Sequence, residues 1–284
     1  MQKNKLGNTD IMVSQLGFGA SPFGNIYNQH VTDQEAKKMV DYALDQGINY
    51  FDVAPYYGLG EAEVRLGKAL PAVTTDLVIS TKVGRYGEKE FDFSAKKITT
   101  SLELSLQRLN REYLDIIFCH DIEFVDKSII IQEALPTLAA LKKAGKIKAI
   151  GISGFPLDQL EALAQTTPID VVLSYCHYTY INQDLASSWL ASQAKKGELG
   201  LINASPFAMG LLTQSNCPPW HPFDTNVKQY VEELKKTLNK QGKSIEQTAF
   251  SYAIAADMVS STLTGFSSLK QLTQCLQWNQ QTIN

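Results

Sequence analysis

The chain has 284 residues, of which 44% are hydrophobic and 19% charged. That is enough apolar material for a sizeable core and excludes a disordered chain, a collagen-like repeat or a small disulfide scaffold. A net charge of −3 gives no basic footprint for a nucleic-acid duplex, and no apolar run is long enough to span a membrane.

The N-terminal stretch Met1-Gln2-Lys3-Asn4-Lys5-Leu6-Gly7 is charged with no apolar segment behind it, unlike a secretion signal. Residues 3–12, with a turn at Gly7-Asn8, read as a small hairpin closing the bottom of the fold. A first strand follows over Val13–Ala20. Thr32-Asp33-Gln34-Glu35 has the spacing of a capping box, so a helix begins at Thr32. Its stripe is Ala36, Val40, Ala43 and Leu44, and Gly47 stops it. The alternation then repeats: strand Asn49–Ala54 and helix Glu61–Leu70; strand Leu77–Val83 and a helix from Ser94 with the stripe Ile98, Leu102, Leu106, Leu109. Strand Leu114–His120 precedes a helix carrying Ile131, Leu135, Leu138 and Leu141. Strand Ile147–Ser153, a short helix from Leu157, strand Val171–Tyr175, a helix over Leu185–Lys196 and strand Leu199–Ala204 come next. Helices over Asn226–Lys240 and Ser244–Ala256, strand Ser260–Gly265 and a helix over Leu269–Gln277 complete the chain.

Runs such as Ile116-Ile117-Phe118 and Val171-Val172-Leu173 suit strands buried on both faces, as in parallel sheets. Eight strand–helix units in this length point to an α/β fold of the (β/α)8 TIM barrel kind with a short N-terminal β-hairpin. A doubly wound open sheet is the alternative. No Pro-, Gly- or Ser-rich linker divides the chain, so residues 1–284 read as one barrel domain.

A barrel of this kind carries its chemistry at the C-terminal ends of its strands, and here those ends hold Asp52, Lys82 and His120. A charge buried among apolar residues is costly unless paired, so Asp52 and Lys82 should form an ion pair across adjacent strands. Tyr57, on the loop after Asp52, can fold back over that pair, where a cation favours the phenolate form. His120 can point to the same spot. Phe23, Tyr56, Tyr86 and Asp121 are candidates for lining a substrate pocket. Gly17-Phe18-Gly19 lacks the third glycine of the dinucleotide fingerprint. The Cys119-His120 and Cys176-His177 pairs each offer one inward ligand at most, because neighbouring strand residues face opposite ways, so no metal site is expected. Cys119, Cys176, Cys217 and Cys275 form no CxxC pair and read as reduced thiols of a cytoplasmic protein.

These residues resemble the aldo-keto reductase family. The resemblance rests on Gly17-Phe18-Gly19, Asp52 with Tyr57, Lys82, His120, Gly151-Ile152-Ser153, Ser205-Pro206 with Gly210-Leu211-Leu212, and Gly265, and within the family it lies nearest the aldose 1-dehydrogenases. It implies a catalytic tetrad of Asp52, Tyr57, Lys82 and His120. It implies a nicotinamide cofactor held by Gly19, Ala20, Ser153, Tyr175, Ser205, Pro206, Phe207, Gly265 and Ser267. Gly154 and Ala204 stand where many relatives carry Asn and Tyr. Ser267 and Gln271 stand where NADP-dependent relatives carry basic residues, which favours NAD over NADP. The activity implied is oxidation of C1 of an aldose, of L-galactose, L-fucose or D-arabinose type, to a lactone. The partner is then a small sugar and the chain a monomer or weak homo-oligomer. Two alternatives are a general NADPH-dependent carbonyl reductase and a nicotinamide-sensing regulatory subunit.

Overall fold

The computed structural model describes residues 1–26, 30–72, 76–214 and 223–283. Cys217 lies outside the described residues. Two short strands, β1 (Lys3–Lys5) and β2 (Met12–Ser14), pair antiparallel as the expected hairpin. Eight parallel strands then close a barrel. They are β3 (Leu16–Gly19), β4 (Tyr50–Asp52), β5 (Val78–Val83), β6 (Leu114–His120), β7 (Ile147–Gly154), β8 (Val171–Tyr175), β9 (Gly200–Ala204) and β10 (Ser261–Gly265), with β10 pairing both β9 and β3. The open-sheet alternative is thereby excluded.

The period-2 alternation of the strands sorts side chains into two cores. Phe18, Phe51, Ile79, Ile117, Ile152 and Val172 pack outward beneath the helices. Tyr50, Val78, Ile116, Phe118, Val171, Leu173, Ile202 and Leu263 fill the barrel, and Leu6, Ile11 and Val13 from the hairpin join them as its floor. Gly7 makes that floor possible. Its φ is +55°, and a Cβ there would stand 2.2 Å from the backbone nitrogen of Gly200. The hairpin also divides the expected first strand. Val13 belongs to β2, and the barrel strand begins only at Leu16, with Ser14 held by Asn49 (Ser14 N–H to Oδ1, 2.7 Å).

The helices are α1 (Asp33–Asp45), α2 (Glu61–Ala69), α3 (Ala95–Leu109), α4 (Lys127–Ile129), α5 (Leu135–Lys143), α6 (Leu157–Thr166), α7 (Trp189–Lys195), α8 (Thr225–Lys240), α9 (Ile245–Ile254) and α10 (Leu269–Ile283). The Thr32–Glu35 capping box forms at the start of α1. Among the described residues no helix is long and apolar enough to cross a membrane.

Two helical readings need correction. The helix expected over Leu185–Lys196 splits into a 3-10 turn at Asp184–Ser187 and α7, because the Ser188 hydroxyl caps α7 at Ala191 N–H. Between α4 and α5 lies a π-turn, Ile130–Ala134, with Pro136 as the second residue of α5 behind it. The extra residue in that turn shifts the helical phase, so Ile130 is buried and Ile131, expected in the stripe, is 38% exposed. Ile130→Ala should therefore cost about 3 kcal/mol of stability and Ile131→Ala less than about 1 kcal/mol, measured by denaturant unfolding. Equal losses would contradict the phase shift.

Candidate active site

Asp52, Lys82 and His120 end the inner faces of β4, β5 and β6, and all three are buried. The Lys82 ammonium donates to Asp52 Oδ1 at 2.5 Å and to the Val53 carbonyl at 2.9 Å. Ser80 donates to the other oxygen of Asp52 at 2.6 Å, and the Tyr50 hydroxyl lies 3.0 Å from Ser80 Oγ. With the Ser80 proton given to Asp52, Tyr50 is the donor to Ser80. Burial and the nearby Asp52 charge raise the pKa of Tyr50 well above the ordinary phenol value, so it stays protonated. The buried ion pair is thus satisfied on several sides, the condition under which such a pair is tolerated.

Tyr57 lies across this pair, its ring centre 4.9 Å from the Lys82 nitrogen and 5.7 Å from the His120 ring at an interplanar angle of 87°. Its loop is shaped by main chain. Gly58, Leu59 and Gly60 are all left-handed, at φ +63°, +53° and +97°. A Cβ on Gly58 would stand 2.3 Å from the Gly24 carbonyl oxygen, and one on Gly24 would stand 2.6 Å from the Tyr57 carbonyl carbon. Both glycines are needed for the loop after β3 to touch the Tyr57 loop backbone to backbone.

Burial pulls the pKa of His120 down to about 3, against the nearby Asp121 charge, so the imidazole is neutral at physiological pH and offers one N–H donor. Its Nε2 stands 3.6 Å from Asp121 Oδ2. Asp121, in a left-handed conformation at φ +54°, is ion-paired with Arg85. The Arg85 guanidinium lies 4.0 Å from the ring centre of Tyr56 and 5.3 and 5.4 Å from those of Phe91 and Phe124, which stack on each other. Arg85 escapes sequence reasoning because it sits beyond the strand end, past Gly84. The only signal is a charged residue between a glycine and a tyrosine.

Of the expected pocket residues, Tyr56 and Asp121 join this cluster. Phe23 and Tyr86 do not. Phe23 is fully buried edge-to-face on Phe18 beneath the helices, since the chain turns into a 3-10 segment at Ser21–Gly24 and points the ring back down. Tyr86 is buried at the start of α3 with Lys97 over its ring, because Gly84 at φ +99° turns the chain outward.

The residues expected at the cofactor fall around the mouth. Gly19 and Gly265 are register partners. Ser153 pairs with His120, and Tyr175 with Ala204. The Ala20 N–H donates to the Asp52 carbonyl. Ser205, at φ +59°, and buried Pro206 follow β9. Phe207 lies 6.3 Å from Phe250. Ser267 donates through its N–H and hydroxyl to Gln271 Oε1 at the head of α10.

The profile of the Aldo/keto reductase family matches residues 15–283 of the chain. The chain belongs to this family. It is 42% identical over 273 residues to L-galactose dehydrogenase of Arabidopsis thaliana, covering 94% of this chain and 84% of that protein. It is 34% identical over 250 residues to D-arabinose 1-dehydrogenase of Saccharomyces cerevisiae, covering 82% and 73%. A solved aldo-keto reductase from Bacillus halodurans, in its holo form, superposes with a TM-score of 0.80 at 26% identity, covering 98% of this chain and 91% of that one.

In this aldo/keto reductase the mouth has two unlike halves. The ends of β4, β5 and β6 present Asp52, Lys82 and His120, whereas those of β9, β10 and β3 present Ala204, Gly265 and Gly19. A Cβ on Gly265 would meet nothing closer than 3.5 Å, so a floor without side-chain bulk borders the charged cluster. A flat ring placed on this side would meet main chain and small residues rather than bulky side chains. Among the described residues no group of three or more His, Cys, Asp or Glu is arranged to hold a metal ion.

The low His120 pKa has a stability consequence. The unfolded chain protonates this imidazole near pH 6.5, whereas the native state holds the proton off to about pH 3. The stabilisation is present in full above pH 6.5 and is lost as pH falls from 6.5 towards 3. His120→Gln should flatten the acid side of the stability curve relative to the wild type, by at most about 1.4 kcal/mol per pH unit. In the native protein, ring 15N shifts should stay those of a neutral imidazole at pH 5.

Proposed function

We propose that this chain oxidises C1 of an aldose of L-galactose, L-fucose or D-arabinose type to the lactone, using NAD. The observation that carries the reading is the Lys82 ammonium, fixed by Asp52 and Val53 and held against the Tyr57 ring beside a neutral His120. The aldose dehydrogenases among the relatives support the substrate class. A nicotinamide dinucleotide over the Gly19, Ala204 and Gly265 floor supplies the hydride acceptor when bound.

The C1 hydroxyl lies between Tyr57 and His120. Tyr57 takes its proton as general base, and the Lys82 charge stabilises the phenolate that does so. The single N–H of neutral His120 holds the sugar oxygen and fixes its orientation. Asp52 keeps Lys82 in place. In the reverse direction Tyr57 is the acid. Tyr56, Phe91 and Phe124 offer faces for the C–H side of a sugar ring, and Asp121 with Arg85 offers an acceptor and donors for its hydroxyls. Ser153, Tyr175, Ser205, Pro206 and Phe207 hold the cofactor from the ends of β7, β8 and β9. For the 2′ position of the adenosine ribose, the Ser267–Gln271 pair is uncharged and Lys270 is the one cation in the first turn of α10, a helix charge facing solvent, which supports NAD over NADP.

Tyr57→Phe should lower kcat for sugar oxidation by about 10³-fold while NAD binding by calorimetry stays within a fewfold. Retained turnover would remove Tyr57 from its role. A parallel screen of L-galactose, L-fucose and D-arabinose with NAD against aldehydes with NADPH should favour the sugars. The opposite result would identify a general carbonyl reductase. Tight NAD binding without turnover on any substrate would identify a nicotinamide-sensing subunit.

A further inference from the structure

Beside the tetrad the mouth holds a carboxylate with no counter-charge. Glu123 sits in the 3-10 turn Ile122–Phe124 that follows β6. Its Oε1 accepts from the Phe155 N–H at 3.0 Å and from the Tyr175 hydroxyl at 3.4 Å. The side chain therefore reaches from the end of β6 across the ends of β7 and β8. Its other oxygen, Oε2, is buried with no hydrogen-bond partner. Gly154 makes room for that oxygen, since a Cβ there would stand 2.5 Å from Oε2. Burial, reinforced by the Asp121 charge, raises the pKa of Glu123, and the Glu123 and Phe155 amides and the Tyr175 hydroxyl oppose the rise.

The neighbouring carboxylates are neutralised: Asp52 by Lys82 and Asp121 by Arg85. No ion pair among the described residues includes Glu123. A buried anion without a cation is costly, and a carboxylate left in this state at a cleft is a candidate for contact with a ligand. An aldose is neutral, and a reduced nicotinamide ring is neutral. The oxidised ring is a cation, and of the ligands in the proposed reaction it alone can neutralise a carboxylate.

We propose that Glu123 is the counter-charge of the oxidised nicotinamide ring, so that the site favours the oxidised over the reduced cofactor and is biased towards dehydrogenation. This rests on the nicotinamide reading given above. Glu123 here is a positioning and charge-matching residue, not one that moves a proton. The attraction between opposite charges in surroundings of intermediate polarity is enough to separate the affinities of the two forms by roughly tenfold or more.

Glu123→Gln keeps the shape and the acceptor for Phe155 N–H and removes the charge. Gly154→Ala keeps the charge but displaces Oε2. The three atoms nearest the new methyl all belong to side chains, and after Oε2 the next is Ile122 Cγ1 at 3.3 Å. Calorimetric titration of wild type and both variants with the oxidised and reduced forms of whichever of NAD or NADP the wild type binds gives the ratio of the two dissociation constants. The expected result is a ratio, oxidised over reduced, raised about tenfold or more in Glu123→Gln and by a smaller factor in Gly154→Ala, chiefly through weaker binding of the oxidised form. A hydrogen-bond staple that only holds the rim together would weaken both forms equally and leave the ratio unchanged, and that outcome in folded variants overturns the proposal. If wild type binds neither form, the nicotinamide reading itself fails and this inference with it.

Discussion

The Lys82–Asp52 ion pair is the constraint around which the barrel mouth is organised. Two opposite charges taken out of water lose several kcal/mol of hydration each, which their attraction offsets only when the remaining donors and acceptors are also met. Here the demand is met by strand register. Asp52 stands opposite Ser80, Ser80 supplies the hydroxyl, and Tyr50 stands below as donor to Ser80. The Val53 carbonyl takes a second Lys82 proton. Each of these groups is placed by period-2 alternation on strands whose other face packs beneath the helices, so the charge network and the hydrophobic core share one set of backbone coordinates. Removing either charged partner would leave the other buried and unmatched, a loss far greater than that of a surface pair.

Charge around the mouth is zoned. Arg85 neutralises Asp121 and at the same time stacks on Tyr56, Phe91 and Phe124. A planar guanidinium can do both, since it bonds in its plane and stacks through its face. His120, between the two ion pairs, carries no charge of its own. The side of β9, β10 and β3 is plain backbone and small residues. The contrast between a crowded polar half and a bare half follows from a handful of positions, Gly19, Ala204 and Gly265 among them, where a larger side chain would fill the floor.

The architecture was legible in the sequence because its signals are local and repeated. Eight apolar runs each followed by a helical stripe, the Thr32 capping box and the turn at Gly7-Asn8 all report on nearby backbone. The tetrad was legible for a different reason. Titratable residues inside apolar strands are rare enough that three on consecutive strand ends stand out, and the position of Tyr57 on the loop just after Asp52 added it to them. What could not be read is where loops send side chains. Gly84 and the turn at Ser21–Gly24 redirect Tyr86 and Phe23 away from the mouth, and the π-turn at Ile130 rotates a stripe by one residue. Glu123 and Arg85 reach the site only because the loops after β6 and β5 fold over neighbouring strand ends, and no spacing along the chain encodes that reach.

The contact between Gly24 and Gly58 has a mechanical consequence. Where two loops meet through side chains, rotamers can absorb a displacement of a few tenths of an ångström. Where main chain rests on main chain, as here, there is no such cushion, and the carbonyl of one segment abuts the α-carbon of the other. The loop that carries Tyr57 and the loop that leaves the first barrel strand therefore move as one piece, and pressure applied to either is delivered undamped to the phenol.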